Sequence, residues 1–387
     1  MRIGIIYPAR DAVSPGNWSG IPHGLACGLS AHGADVVPIG EIVPHGLREV
    51  VAVLSRSTGR RGEVAARLGV SRWARTRALT EQLSLALPLD AVVAMGTEMY
   101  DLAEVLRSRV PCVTFDDATQ PQMYRDPNSD IRLPNIPAKH VARSISQHRA
   151  ASNTATLCCV TTRWAARSFE KDYGVPAERI VVVGMGHRPR PTVGSGDRDW
   201  STPKFLFVGL DWQRKNGAAV LEAFERVRRQ IPAASLDLVG THPPVTMPGV
   251  ACHGVLPRED ASAQVLLDRL YAAATCFVLP SLFEPAGVAY LEAASAGLAV
   301  VATARGGAAE MLNNGAVIVD PHDPSALFEA MLALSDPGYA RSMGAEARRN
   351  AASSSWRAVA GRVLEALRLN TGDSESDQFE NSGYASS

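Results

Sequence analysis

The chain has 387 residues, 46% hydrophobic and 20% charged, and its 39 basic and 39 acidic side chains cancel. That length predicts two domains, each large enough to bury its own core, and zero net charge leaves no electrostatic footprint for nucleic acid. No apolar run approaches the roughly 18–20 residues that span a bilayer, and the chain enters a strand-like run at once with MRIGIIYP, so an unexported cytoplasmic protein is expected.

Short runs rich in Val and Ile alternate with helical patterns, the mark of an α/β fold built on parallel sheets with crossover helices. In the first half, strands are predicted at Arg2–Pro8, Asp35–Gly40, Asp90–Gly96, Pro111–Asp117, Thr156–Thr162 and Arg179–Gly186. Helices are predicted from Ile21 and over 120–124, 135–152 and 163–174. Between Arg56 and Arg77, seven arginines (Arg56, Arg60, Arg61, Arg67, Arg72, Arg75, Arg77) face the single acid Glu63. A solvated helix face accounts for such a run; an anionic acceptor or a peripheral membrane contact is the alternative.

From Arg188 to Pro203 the sequence is polar, proline-rich and glycine-rich, without apolar periodicity. The predicted division is therefore a first domain over 1–190, a linker over 191–203 and a second domain over 204–353. A last helix over 354–370 returns to the first domain, and an acidic tail over 371–387 is read as disordered. Beyond the linker, strands are predicted at Phe205–Leu210, Ser235–Gly240, Val250–Gly254, Cys276–Ser281, Ala299–Thr303 and Gly315–Asp320. They alternate with helices over 216–231, 261–274, 287–297, 323–335 and 337–353. Two doubly wound, Rossmann-like halves then face a central cleft lined by the carboxyl ends of both sheets.

The six cysteines (Cys27, Cys112, Cys158, Cys159, Cys252, Cys276) show no C-x-x-C spacing and read as buried thiols. The nine histidines contain no H-E-x-x-H pair. Asp197-Arg198-Asp199 spells D-x-D, but inside the linker rather than after a buried strand, so no metal is expected.

Chemistry concentrates in residues 279–297, LPSLFEPAGVAYLEAASAG. Glu284 follows an apolar strand; Pro285, Ala286, Gly287 and Val288 open a helix whose exposed amides and dipole favour a phosphate. Glu292 lies inside that helix, where its carboxylate can point along the same face toward the cleft while Glu284 stays at the mouth. A carboxylate accepts from two adjacent hydroxyls at once, as a ribose or pyranose diol offers them. A second segment, FLFVGLDWQRKNG at 205–217, sets Arg214 and Lys215 between a strand and a helix, where fixed cations neutralise a departing diphosphate.

The E-x7-E pair inside a P-S-x-x-E-P-x-G frame resembles family 4 of the retaining glycosyltransferases, which have the two-domain GT-B fold. The resemblance implies that Glu292 binds ribose hydroxyls, that Glu284 meets hydroxyls of the transferred sugar, and that Lys215, with Arg214 as its companion, binds the diphosphate. Relatives keep a small or glycine-rich turn near the phosphates, where this chain has Ser19 and Gly20; tight strand-to-helix geometry is the alternative reading of that turn. Where many relatives have a histidine beside the reacting centre, this chain has Asp116 and Asp117. Either is a candidate to accept the acceptor proton, with Thr119 orienting the hydroxyl, and helix capping is the alternative for all three. Arg305-Gly306-Gly307 and Glu310 fit a turn that borders the donor site, Glu310 also reading as a helix cap, and His140 reads as structural.

The function expected is transfer of a hexose from a nucleotide diphosphate sugar to an acceptor hydroxyl, with retention and with no cofactor. A sugar-nucleotide epimerase or hydrolase of the same fold, or a non-catalytic sugar-nucleotide-binding protein, is the alternative.

Overall fold

The computed structural model describes residues 1–41, 69–108, 110–129, 131, 138–191 and 198–371. The first sheet comprises β1 (Arg2–Ile6), β2 (Asp35–Ile39), β3 (Ala91–Ala94), β4 (Cys112–Asp116), β5 (Leu157–Val160) and β6 (Ile180–Val182). All pairings are parallel, in the order β2-β1-β3-β4-β5-β6. The second comprises β7 (Lys204–Val208), β8 (Ser235–Val239), β9 (Val250–Gly254), β10 (Cys276–Leu279), β11 (Ala299–Thr303) and β12 (Val317–Val319), ordered β12-β11-β10-β7-β8-β9 and again parallel.

Helices cover both faces of each sheet, so the central strands are largely apolar and every residue of β3, β4, β10 and β11 is buried, Thr114, Asp116 and Thr303 being the polar exceptions. The helices are α1 (Ile21–Ser30), α2 (Gly69–Ala86), α3 (Leu102–Val105), α4 (Gln120–Arg125), α5 (Ala138–Thr154), α6 (Arg163–Tyr173), α7 (Gly217–Gln230), α8 (Ala261–Ala273), α9 (Val288–Ser295), α10 (Ala308–Leu312), α11 (Pro324–Ala333), α12 (Pro337–Ala351) and α13 (Trp356–Thr371). Their starts follow the expected capping chemistry. Thr119 and Gln122 form a reciprocal capping box on α4, and Thr162, Asp260, Asp323 and Asp336 accept first-turn amides of α6, α8, α11 and α12.

Each sheet reverses strand order once, between β1 and β3 and between β7 and β10, which opens a crevice at their carboxyl ends. The loops leaving β1, β3, β4, β7 and β10 carry the site residues for that reason.

The chain passes to the second sheet after β6 and returns at α13, and the two crossings touch. His187 and Ser355 form an isolated β-bridge, and the Arg362 guanidinium donates to the carbonyls of Val183 at 2.6 Å and Ser353 at 3.1 Å. Helix α13 lies against α1 of the first domain. Glycine makes that contact possible: a Cβ on Gly24 would stand 2.1 Å from Trp356 Nε1, and one on Gly28 2.3 Å from the Trp356 carbonyl oxygen.

In the arginine-rich run, Arg56, Arg60, Arg61, Glu63 and Arg67 lie outside the described residues. On α2, Arg72 pairs with Asp101 at 3.3 Å, Arg75 with Glu41 at 2.8 Å, and Arg77 lies over the Trp73 ring at 5.9 Å. Asp197 and the tail beyond Thr371 are also outside the described residues, whereas Asp199 accepts from Ser201 at the surface. No described helix is long and apolar enough to cross a membrane.

Candidate functional site

The loop between β7 and α7 is wound tightly. Asp211 accepts from the Arg214 amide through Oδ1 at 3.1 Å and from the Lys215 amide through its carbonyl at 2.8 Å, while Asn216 turns the chain into α7 at a φ of 59°. Arg214 and Lys215 are thereby aimed at the loop after β10. The Arg214 guanidinium donates to the Phe283 carbonyl at 3.1 Å and stands 3.6 Å from Glu284 Oε2, which the Lys215 ammonium also contacts. Ser281 Oγ donates to the same oxygen at 2.9 Å.

The backbone of Glu284 is held from behind by the loop after β11. Its amide donates to the Arg305 carbonyl at 3.1 Å, and its own carbonyl accepts from Gly307 at 3.2 Å. Gly306 has a φ of 100°, and a Cβ there would lie 2.1 Å from the Glu284 carbonyl oxygen, so this approach demands glycine. Burial opposes the charge of Glu284, but Lys215, Arg214 and Ser281 outweigh it, and its pKa is lowered.

Glu284 lines a cavity of about 300 Å³ between the domains. Arg214, Phe283 and Pro285 share its second-domain wall; Tyr7, Trp18, Ser19, Glu98, Asp116, Asp117 and His148 belong to the first. Asp116 and Asp117 come from the carboxyl end of β4. Trp18, Ser19 and Gly20 have φ of 38°, 56° and 82°, three left-handed residues in succession before α1. Such a conformation in two non-glycine residues is costly and is retained where the surroundings enforce it. Ser19 also lines a second cavity of about 490 Å³, which takes in Gly20, His23, Cys27, Arg188, Arg258, Gln264, Val288 and Trp356. The two cavities thus meet at the Ser19 turn, opposite the opening of α9.

Helix α9 begins after Gly287, at a φ of 69°, with no side-chain cap, and Ala286 packs into the core behind it. The two glutamates do not share a cavity. Glu292 lines neither cavity: it is 1% exposed, covered by Arg190 and by Arg258, which itself lines the larger cavity. Its Oε2 accepts from Arg190 at 2.8 Å and 3.3 Å and from the Tyr271 hydroxyl at 3.4 Å; its Oε1 accepts from Arg258 at 3.2 Å. The physical reason is Arg190, whose side chain is 0% exposed and needs counter-charge. It lies over Tyr271 at 5.0 Å and also pairs with Asp268 at 2.7 Å. Burial works against the Glu292 carboxylate, yet the two arginines lower its pKa.

On the first-domain wall, Asp116 Oδ1 accepts from His148 Nε2 at 3.1 Å, and His148 Nδ1 lies 2.9 Å from the Tyr173 hydroxyl. Thr119 is fully buried and caps α4, its hydroxyl 2.6 Å from Ser168. Glu310 reaches across the domains, accepting from the Trp164 amide at 3.0 Å and the Arg167 guanidinium at 2.9 Å. His140 lies on α5 and lines neither cavity.

Arg190, Arg258, His148 and Tyr173 did not emerge from the sequence. One signal existed for His148: it shares the buried stripe of α5 with Ser144, Ala151 and Ser152, at helical spacing.

Residues 202–336 match the family Glycosyl transferases group 1. A GDP-mannose-dependent alpha-(1-6)-phosphatidylinositol monomannoside mannosyltransferase of Mycolicibacterium smegmatis is 31% identical over 250 residues, 57% of this chain and 64% of that protein. A D-inositol 3-phosphate glycosyltransferase of Rhodococcus opacus is 27% identical over 59% of this chain and 56% of its own length, so the chain matches little more than half of that relative. Among solved structures, sucrose-phosphate synthase from Thermosynechococcus elongatus superposes with a TM-score of 0.69 at 17% identity, covering 95% of this chain and 98% of that one. Anabaena HepE, in complex with UDP and glucose, gives 0.63 at 15% identity, covering 95% and 99%. Residues 202–336 are therefore a group 1 glycosyltransferase domain, set as the second half of a chain with the GT-B fold.

Proposed function

We propose that this chain transfers a hexose from a nucleotide diphosphate sugar to an acceptor hydroxyl, with retention of configuration. The observation that carries the reading is the convergence of Lys215, Arg214 and the Ser281 hydroxyl on Glu284, which with Arg214 lines a cavity whose opposite wall includes Ser19, Asp116 and Asp117.

The nucleoside fills the larger cavity and the sugar the smaller, so the diphosphate crosses beside Ser19, Gly20 and the amides that open α9 at Val288. As the bond from the anomeric carbon to the phosphate oxygen breaks, its electron pair leaves on the diphosphate, where Lys215 and Arg214 stabilise it. The acceptor oxygen bonds to the same carbon. Its proton passes to the departing phosphate or to a first-domain carboxylate, Asp116 or Asp117. Glu284 offers Oε1, which has no partner among the described residues, to sugar hydroxyls. Glu292 holds ribose once Arg258, its sole contact at Oε1, swings aside. A cleft closed between the domains limits hydrolysis of the donor.

Relatives named for inositol-type acceptors make a phosphorylated cyclitol the first acceptor to try. The test is a thermal-shift screen against UDP-, GDP-, ADP- and TDP-sugars, followed by turnover. A donor at ~100 times its Kd stabilises the protein by about 2.7 kcal/mol. Lys215→Ala is expected to lower turnover about 100-fold, the usual loss for one charge-stabilising donor. Unchanged turnover in both Lys215→Ala and Glu292→Ala overturns the assignment.

A further inference from the structure

Asp116 is 5% exposed, and its Oδ2 is removed from solvent. Oδ1 is satisfied by His148, but Oδ2 has no hydrogen-bond partner among the described residues. A buried carboxylate oxygen left without a donor loses the hydration it had in water, a cost that a fold retains only where something else supplies the hydrogen bond. Asp116 and His148 both line the cavity that Glu284 and Arg214 enter from the other domain. Asp117, the adjacent candidate, is partly exposed in the same cavity and has partners of its own.

The side chain behind Asp116 is fixed on every side. His148 is 2% exposed; its ring meets Phe169 and Tyr173 edge-on at 5.7 Å and 5.2 Å, and its Nδ1 faces the Tyr173 hydroxyl. That hydroxyl in turn accepts from the Gln120 amide at 2.9 Å, at the start of α4. Strand β4 and helices α4, α5 and α6 therefore converge to orient one carboxylate.

We propose that Asp116 binds a hydroxyl of the saccharide held between the domains, through Oδ2, and that His148 and Tyr173 are positioning residues that aim it. The inference rests on the glycosyltransferase reading for its ligand, and only hydroxyl chemistry is specified: the hydroxyl belongs either to the donor sugar or to the acceptor. Oδ2 can accept and cannot donate, so a deoxy ligand leaves it unpaired. The His148 ring faces Asp116 and Asp117 at the end of β4, Glu98 in the turn after β3, and the Tyr173 hydroxyl of α6. Burial disfavours its charge, but the three carboxylates outweigh burial and raise its pKa. The ion pair with Asp116 is therefore complete below the ordinary histidine value of 6.5 and is lost as pH rises through the raised value.

The variants are Asp116→Asn, His148→Leu and His148→Gln, the last keeping an N–H donor. Binding of UDP and UDP-glucose is measured by calorimetry, and turnover of UDP-glucose and GDP-mannose with and without acceptor. Asp116→Asn and His148→Leu are expected to bind UDP as the wild type does. Both should lose about 10- to 100-fold in turnover, the equivalent of one hydrogen bond to a charged group, and His148→Gln should recover part of that loss. A loss that includes acceptor-free hydrolysis places the hydroxyl on the donor sugar; a loss confined to transfer places it on the acceptor. Folded Asp116→Asn turning over within about twofold of wild type overturns the proposal. Nitrogen-15 spectra of the histidines across pH give a readout independent of substrate, with His148 doubly protonated at pH 6.5, its ordinary value, and losing that state at a lower pH in Asp116→Asn than in wild type. Wild type that binds none of these nucleotide sugars overturns the glycosyltransferase reading instead, and a neutral His148 then overturns the positioning pair on its own.

Discussion

Glu292→Gln separates charge from shape at the most buried ion pair of the second domain. The amide keeps the size of the side chain and one accepting oxygen, replaces the other oxygen with an NH2 that cannot accept, and removes the counter-charge from Arg190, which is 0% exposed. Removing one partner of a buried pair costs about 3–5 kcal/mol, because the remaining charge is stranded. Arg190 keeps Asp268 at 2.7 Å, so the low end, about 3 kcal/mol, applies. For a domain of this size each kcal/mol moves Tm by about 2–4 °C, giving an expected fall of about 6–12 °C near neutral pH. The sign with pH follows from the lowered pKa of Glu292. Its stabilisation is complete above the ordinary glutamate value of 4.5 and is lost as pH falls through the lower folded value. The gap between wild type and variant should therefore be full at neutral pH and narrow in acid, as read by thermal denaturation monitored through circular dichroism. A variant within about 2 °C of wild type at neutral pH, or a gap that widens in acid, refutes the reasoning.

At the contact of α1 with α13, Gly28→Ala places a methyl 2.3 Å from the Trp356 carbonyl oxygen, which belongs to backbone and has little room to yield. The expected loss is about 1–3 kcal/mol, seen as a lower Tm, and an unchanged Tm excludes tight docking of the two helices. The thiols divide by burial. Burial pushes up the pKa of Cys112, Cys158, Cys159 and Cys276, and these should react with a thiol reagent only after denaturation, while exposed Cys27 and Cys252 react in the native protein. Since Cys27 lines the larger cavity and Cys252 does not, bound UDP should slow labelling of Cys27 alone; equal protection of both, or of neither, places the nucleotide elsewhere.

The described strands coincide with runs legible in the sequence because both faces of each parallel sheet are covered, which forces continuous apolar composition. The observed strands are shorter at their ends: Pro280 and Ser281 follow β10 as the start of a site loop, and Val183 to Gly186 follow β6 into the hinge. Helix α2 was harder to read, since its buried residues Ser71, Ala74, Thr76, Ala78, Leu79 and Leu83 are small or polar as often as large. Within the site, Glu284 and its cations were legible because each sits in a compact strand-to-helix loop with its own local pattern. Pairs made across the fold were not. His148 meets Asp116 from 32 residues away and Arg190 meets Glu292 from 102, distances at which spacing carries no signal. For the same reason the cover over Glu292 was not legible: helical geometry fixes its side of α9, but not the arginines that cover it.

The contacts between the domains differ in strength, and that difference decides how a donor enters. Across the cleft mouth, Arg167 and Glu310 pair at 2.9 Å with side chains 66% and 33% exposed, an arrangement worth at most about 1 kcal/mol. At the hinge, His187 is 3% exposed and bridges Ser355, and the Trp356 ring and backbone fill the space left open by Gly24, Gly28 and Gly186. The mouth adds the Trp164 amide on Glu310 at 3.0 Å and the Trp164 ring edge-on to Phe283 at 6.0 Å, whereas separating the hinge removes close-packed surface from its partners. Any opening is therefore expected to pivot at the His187 and Ser355 crossings, with Ser19 and Gly20 parting from Arg258. On the proposed function, loading of the nucleotide and release of Glu292 Oε1 are then expected to belong to one motion rather than two, because Arg258 both lines the larger cavity and holds that oxygen.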